Sequence, residues 1–132
     1  MYWWKMSQES ARAARAAEAA GCWRSSVSRY YYAAYQAATA VLLHFGLIPP
    51  AGREGWSHAE TPEMIRAHFR QTIRSAAKRN DLAIRMGKLY KMRVAADYVG
   101  SHPISNETTD GVRRDAGIII KVAQSILPHE NG

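Results

Sequence analysis

The segment CWRSSVSRYYYAAYQAATAVLLHF, residues 22–45, sets the fold class of this chain. Its apolar residues recur at spacings of three and four, which is the pattern of a helix with one buried face. Gly46 follows directly and favours termination there, because glycine readily adopts the conformation that closes a helix. The predicted buried face consists of Trp23, Val27, Tyr30, Tyr31, Ala34, Ala38, Val41, Leu42 and Phe45.

Four segments outside this helix also show helix signals. Residues 7–20 are rich in alanine, the residue with the highest helix propensity. A third helix is predicted to open with Thr61 as its cap and to run to residues 78–81, where a fourth helix begins. Ser105 is predicted to cap a fifth helix.

The connections between these helices predict the architecture. No stretch alternates apolar and polar residues for long enough to predict a strand. Short connections favour antiparallel neighbours. We therefore predict an all-α, up-and-down antiparallel bundle of four to five helices. A length of 132 residues suits a single domain, residues 1–132, in which 1–6 form an N-terminal extension and 128–132 a C-terminal tail.

The charge and cysteine content limit the functional classes. The chain carries 18 lysine and arginine residues against 11 acidic ones, a formal net charge of +7, which favours contact with polyanions or acidic proteins. Its one cysteine, Cys22, excludes an intrachain disulfide and fits a reducing cytoplasm. No signal peptide is visible, and the longest apolar run is too short to span a bilayer. We therefore expect a cytoplasmic protein without membrane contact.

Neither a metal nor a cofactor is predicted. The five histidines show no metal-site spacing such as HExxH, and one cysteine cannot build a cysteine-rich centre. The glycines are scattered, so no glycine-rich phosphate loop is present in the sequence.

A polar triplet on the fourth predicted helix is the first candidate site. Tyr90, Arg93 and Asp97 follow a three-four spacing and therefore share one helical face. One interpretation is an intrahelical ion pair between Arg93 and Asp97, with Tyr90 packing beside it. The other makes Arg93 a phosphate binder oriented by Asp97, with Tyr90 or Tyr98 stacking on a base.

Basic residues recur every four positions along the third predicted helix. Arg66, Arg70, Arg74 and Lys78 would form a basic ladder on it. Like charges at this spacing mildly destabilise a helix, so contact with an oppositely charged surface would stabilise it. The ladder is either a solvated face or a docking strip for RNA phosphates or an acidic partner.

Tyrosines cover more than half the circumference of the helix at residues 22–45. Some of the rings must therefore point away from its buried face. Tyr32 and Tyr35 are the candidates for a dimer interface or a cleft, because the amphipathic ring of tyrosine suits a partly solvated surface.

Two stretches carry a resemblance to a known family. Residues 28–38, SRYYYAAYQAA, are similar to the "SRxYYAxFHAA" helix of the HEPN family (higher eukaryote and prokaryote nucleotide-binding domain). Residues 89–98, LYKMRVAADY, resemble the "LYxxRxxADY" segment of one HEPN branch. The resemblance implies a helical bundle that usually forms homodimers. It also implies a frequent pairing with a minimal nucleotidyltransferase in toxin–antitoxin or defence modules.

The resemblance also bears on catalysis. Nuclease members of the family use an arginine followed four to six residues later by a histidine, with the two copies meeting across the dimer. Here eight residues separate Arg93 from His102. Arg53 and His58 match the spacing, but they lie in a predicted loop, and we interpret that match as chance.

Three functional classes follow. The leading prediction is a homodimeric RNA- or nucleotide-associated module of a toxin–antitoxin or defence-type pair, with Arg93 and the basic ladder as its contacts. The second is a metal-independent endoribonuclease that uses Arg93, Asp97 and His102 across a dimer. The third is a structural helical subunit of a larger assembly.

Overall fold

A computed structural model describes residues 2–128, and in this range the fold is all-α. The helices are α1 (Tyr2–Ala19), α2 (Trp23–His44), α3 (Thr61–His68), α4 (Ala76–Tyr98) and α5 (Asn106–Ile126), with one 3-10 turn at Phe69–Gln71. The predicted bundle of helices is confirmed, and none of its described helices is long and apolar enough to span a bilayer.

The central element is α2, which packs against α1, α4 and α5 and also touches α3. Most of its predicted inner face is buried, with Tyr31, Val41 and Leu42 fully enclosed, but Trp23 and Phe45 at its two ends are only partly buried. Small residues let α1 approach α2 closely: the Ser7 hydroxyl donates to the Ala33 carbonyl at 2.6 Å, and the Ser26 hydroxyl donates to the Ala14 carbonyl at 2.9 Å. These bonds satisfy hydroxyls that would otherwise be buried without a partner.

The first helix starts earlier than the sequence predicted. Residues 2–6, assigned to an extension, form the opening turns of α1. Trp3 packs edge-on against Tyr35, with ring centroids 6.3 Å apart. Burial of the Trp3 ring against the aromatic surface of α2 stabilises the helical conformation of residues 2–6, which precede the alanine-rich segment.

The prediction of one helix from Thr61 to Lys78 is wrong. Phe69, fully buried and edge-on to Phe45, turns the chain inward through the 3-10 segment after α3 has ended. Ser75 then caps α4, because its side chain accepts from the backbone N–H of Lys78 at 3.2 Å. The basic ladder is therefore broken across α3, the 3-10 turn, a loop and the first turn of α4.

The two predicted caps have different outcomes. Ser105 caps α5 as predicted, in a capping box with Thr108. Thr61 does not cap α3: it is buried inside the helix, and its hydroxyl donates to the Ser57 carbonyl at 2.8 Å. The Ser57 side chain accepts from the backbone N–H of Glu60 one turn earlier, and so begins the helical path sooner than predicted.

Candidate functional site

Arg93 lies on the face of α4 that meets α2, and only 12% of its side chain is exposed. Its Nη2 donates to the Tyr32 hydroxyl at 2.9 Å and to the Tyr98 hydroxyl at 3.4 Å. Its Cζ lies 5.3 Å from the centre of the Tyr32 ring and 5.2 Å from that of Tyr98. Two aromatic rings and two hydroxyl oxygens thus hold the guanidinium in one orientation.

The predicted ion pair between Arg93 and Asp97 is present. Arg93 Nε lies 3.0 Å from Asp97 Oδ2, although the N–H does not point at the oxygen and makes no hydrogen bond. The same carboxylate accepts from the Ser28 hydroxyl at 3.2 Å, which ties it to α2. Burial opposes the charge of Arg93, but Tyr32, Tyr98 and Asp97 outweigh it and raise the pKa of Arg93.

Several donors at this site have no partner within residues 2–128. Guanidinium nitrogens only donate, so the Tyr32 and Tyr98 hydroxyls accept from Arg93 and keep their own hydrogens available. Arg93 Nη1 also has no acceptor in this range and is not sealed from solvent. The site therefore presents donors, which suits an anion.

Arg29 adds a second cation that the sequence analysis missed. Its Cζ lies 5.0 Å from the centre of the Tyr32 ring, so two guanidinium groups share one tyrosine. Arg29 is exposed and has no ion pair within residues 2–128. The three-residue spacing from Arg29 to Tyr32 on α2 is the signal from which it was predictable.

The loop before α3 supplies His58, whose match with Arg53 was interpreted as chance. Arg53 pairs instead with Glu60 at 3.1 Å. His58 packs on the Tyr32 ring at 6.1 Å and stacks on Tyr90 at 5.3 Å and 8°. No local sequence signal places His58 here, because only the path of the loop brings it to α2 and α4.

A hydrogen bond links His58 to the buried Tyr31. The Tyr31 hydroxyl is fully buried and pairs with His58 Nδ1, its one partner within residues 2–128. The Tyr31 hydroxyl donates to Nδ1 or accepts from it, according to which ring nitrogen carries the hydrogen. Burial, and then the charge of Arg93, lower the pKa of His58. The lowered pKa keeps His58 neutral at neutral pH.

Arg24, in the first turn of α2, closes the C-terminal end of α4. It donates to the carbonyls of Ala96 at 3.0 Å and Gly100 at 3.1 Å, and also to that of His102. These bonds satisfy carbonyls that the helix leaves unpaired. His102 is held by its backbone near the Arg93 end of α4, but its exposed side chain makes no contact with Arg93 within the described chain.

The remaining predicted site residues divide between two places. Tyr98 is 71% exposed and free to stack, whereas Tyr90 is partly buried beside His58. Tyr32 lies in the Arg93 site, but the Tyr35 hydroxyl donates to the Trp56 carbonyl and serves internal packing. Of the four ladder residues, Arg66, Arg70, Arg74 and Lys78, only Lys78 lies on α4, about 22 Å from Arg93 at 1.5 Å per residue, and the other three precede that helix.

No curated protein matches the chain significantly. Within residues 2–128, no three His, Cys, Asp or Glu side chains are grouped closely enough to hold a metal ion. The family model described as HEPN domain matches residues 1–129. The match supports a general association with nucleotides or RNA. The chain therefore belongs to the HEPN domain family.

Proposed function

We propose that this protein is an RNA-associated module that binds a backbone phosphate at the hydroxyl edge of Tyr32, between Arg93 and Arg29. The observation that carries the proposal is the pair of guanidinium groups 5.3 Å and 5.0 Å from one tyrosine ring. Two cations beside one ring repel each other, and an anion between them converts that repulsion into two charge-assisted contacts.

The two arginines are suited to different tasks. Arg93 is largely buried and held by Tyr32, Tyr98 and Asp97, so little side-chain freedom is lost when it binds a phosphate. Arg29 is exposed and can follow the backbone of a flexible strand. The hydroxyl hydrogens of Tyr32 and Tyr98 provide further donors to the phosphate oxygens.

A base-stacking surface lies next to the phosphate site. The Tyr98 ring is 71% exposed and packs on the Arg93 guanidinium. Tyrosine rings of this kind stack on unpaired bases, which favours single-stranded RNA over a duplex. Arg24 supports anion binding here as well, because it covers the C-terminal carbonyls of α4, which would repel a phosphate.

The biological setting is the finer part of the proposal. Membership of the HEPN family supports a homodimer, and a nucleotidyltransferase-like partner in a toxin–antitoxin or defence-type pair. Light scattering after size exclusion tests the first, and the identity of the neighbouring gene tests the second. A monomer at all concentrations, or an unrelated neighbour, would remove that setting but leave the phosphate site in place.

The binding itself is tested by the anisotropy of a fluorescein-labelled single-stranded RNA titrated at several salt concentrations. Arg29→Ala should weaken binding about three- to tenfold and reduce the salt slope by about 0.7, the loss of one phosphate contact. Arg12→Ala is the matched control, because Arg12 is also exposed and without an ion pair in the described chain but lies on α1. No binding by the wild type at low salt, or equal losses in both variants, would refute the proposal.

Metal-independent RNA cleavage is the second candidate function. It needs a histidine to move the proton of a 2′-hydroxyl near Arg93. The Nδ1 atom of His58 is already engaged by Tyr31, whereas the exposed His102 lies at the same end of α4 as Arg93. Cleavage should then survive EDTA, leave a 2′,3′-cyclic phosphate and disappear in His102→Ala. Activity that His102→Ala leaves intact would exclude this mechanism.

A further inference from the structure

A second recess lies at the opposite end of α4 from Arg93. The start of α4, the loop before it and the second half of α5 enclose an open groove of about 820 Å³. Its apolar surface comes from Ile73, Leu82, Ile118 and Val122, and Ile118 is 37% exposed. An apolar groove between two helices is a common docking site for a third helix.

The loop at the end of this groove is held in shape by Arg79. The guanidinium donates to the carbonyls of Arg66 at 3.0 Å, Ile73 at 2.8 Å and Arg74 at 2.9 Å. These three bonds fix the loop against α3 and α4. The groove is therefore formed before any ligand binds, which lowers the entropic cost of association.

The rim of the groove is positively charged. Arg74 and Lys78 line it, are exposed, and have no ion pair within residues 2–128. The carboxylate on the rim, Asp81, is already paired with Arg85 at 2.8 Å. The free charge at the groove is therefore cationic, and a ligand with carboxylates is complementary to it.

We propose that this groove binds an acidic amphipathic helix of a partner protein. The apolar ridge of that helix would pack on Ile118 and Val122, which are one turn apart on α5, and its flanking carboxylates would meet Arg74 and Lys78. This inference goes beyond the proposed RNA contact, since it concerns a different surface and a different ligand.

Two other occupants are disfavoured by the same features. Among residues 2–128, no aromatic ring lines the groove, so this part of the chain gives it no surface on which bases could stack. A second copy of the chain, with 18 basic against 11 acidic residues, offers fewer of the carboxylates that the cationic rim formed by Arg74 and Lys78 would select.

The probe is a fluorescein-labelled helical peptide of about 18 residues, with leucine at i, i+3, i+4 and i+7 of each repeat and glutamate on the flanks. A scrambled peptide of the same composition carries equal charge but no apolar ridge. The helical peptide should bind about tenfold more tightly than the scrambled one. Equal binding of the two, or no binding at the highest peptide concentration, overturns the proposal.

Two pairs of variants locate the binding site. Ile118→Asp should abolish peptide binding, while Ile84→Asp should not, because Ile84, 49% exposed against 37% for Ile118, lies on α4 outside the groove. Lys78→Glu should weaken binding about tenfold relative to Lys88→Glu, an exposed lysine farther along the same helix. The lysine pair keeps the test decisive if Ile118→Asp fails to fold. Equal losses within a pair, or displacement of the peptide by single-stranded RNA, contradict the assignment.

Discussion

The two ends of α4 carry positive charge in different forms. At the C-terminal end, only 12% of the Arg93 side chain is exposed, and its guanidinium is fixed between the rings of Tyr32 and Tyr98. At the N-terminal end, Arg74 and Lys78 are exposed and lie beside aliphatic side chains. If positive charge alone determined the ligand, both ends of α4 would bind the same kind of partner.

The surroundings of each cation, rather than its charge, determine the ligand. A guanidinium oriented by aromatic rings and hydroxyls matches a phosphate with a base next to it. Flexible cations around an apolar groove match carboxylates that flank an apolar ridge. The following variants test whether the two surfaces act separately.

Removal of the Arg93 side chain should have the largest effect. Arg93→Ala deletes the oriented phosphate contact, worth about 1.5–3 kcal/mol, so RNA affinity should fall about 10- to 100-fold. Arg93→Lys keeps the charge but not the planar fork and should lose less. The RNA anisotropy titration measures both, and undiminished affinity in Arg93→Ala would move the binding site elsewhere.

The exposed ring of Tyr98 should come second. Base stacking on an aromatic ring contributes about 1–3 kcal/mol, and Tyr98→Ala should lose an amount near the lower end, about tenfold in affinity, because the ring already packs on Arg93. Tyr98→Phe keeps the ring and should retain most of that affinity. Because Tyr98 is 71% exposed, neither change should alter the unfolding temperature appreciably. Equal affinities of the Ala and Phe variants would exclude stacking.

The pKa of His58 predicts a smaller effect on stability. Its pKa is lowered in the folded state, so the unfolded chain binds the proton more readily as the pH falls below about 6.5. The stability contributed by His58 is complete above that pH and is lost as the pH falls through its folded-state pKa. Thermal unfolding of His58→Gln should therefore depend less on pH between 7 and about 5 than that of the wild type. Parallel curves for the two proteins would contradict the environment described for His58.

The smallest expected effect is that of a variant at one surface on binding at the other surface, where we expect no change. Ile118→Asp should leave RNA affinity within about twofold of the wild type, and Arg93→Ala should do the same for the helical peptide, because Lys78 at the groove lies about 22 Å from Arg93 along α4. A large loss in either crossed measurement would mean that the surfaces are coupled or form one site.

The amino-acid sequence by itself determined the all-α class, the long buried helix around Tyr31 and the ion pair between Arg93 and Asp97. Each of these depends on helical periodicity within one segment, and periodicity is encoded locally. The helix caps and helix ends were predicted less accurately from the sequence. The predicted helix from Thr61 to Lys78 failed because burial of Phe69 outweighed the local preference for a continuous helix.

Only the tertiary structure decided which residues meet at the Arg93 site and at the groove. Arg29 comes from α2, His58 from the loop before α3, and Arg93 from α4, so no spacing along the chain relates all three. The groove likewise forms where the start of α4 meets the end of α5. Contacts between distant segments depend on how helices pack, and packing is a property of the whole core rather than of any segment.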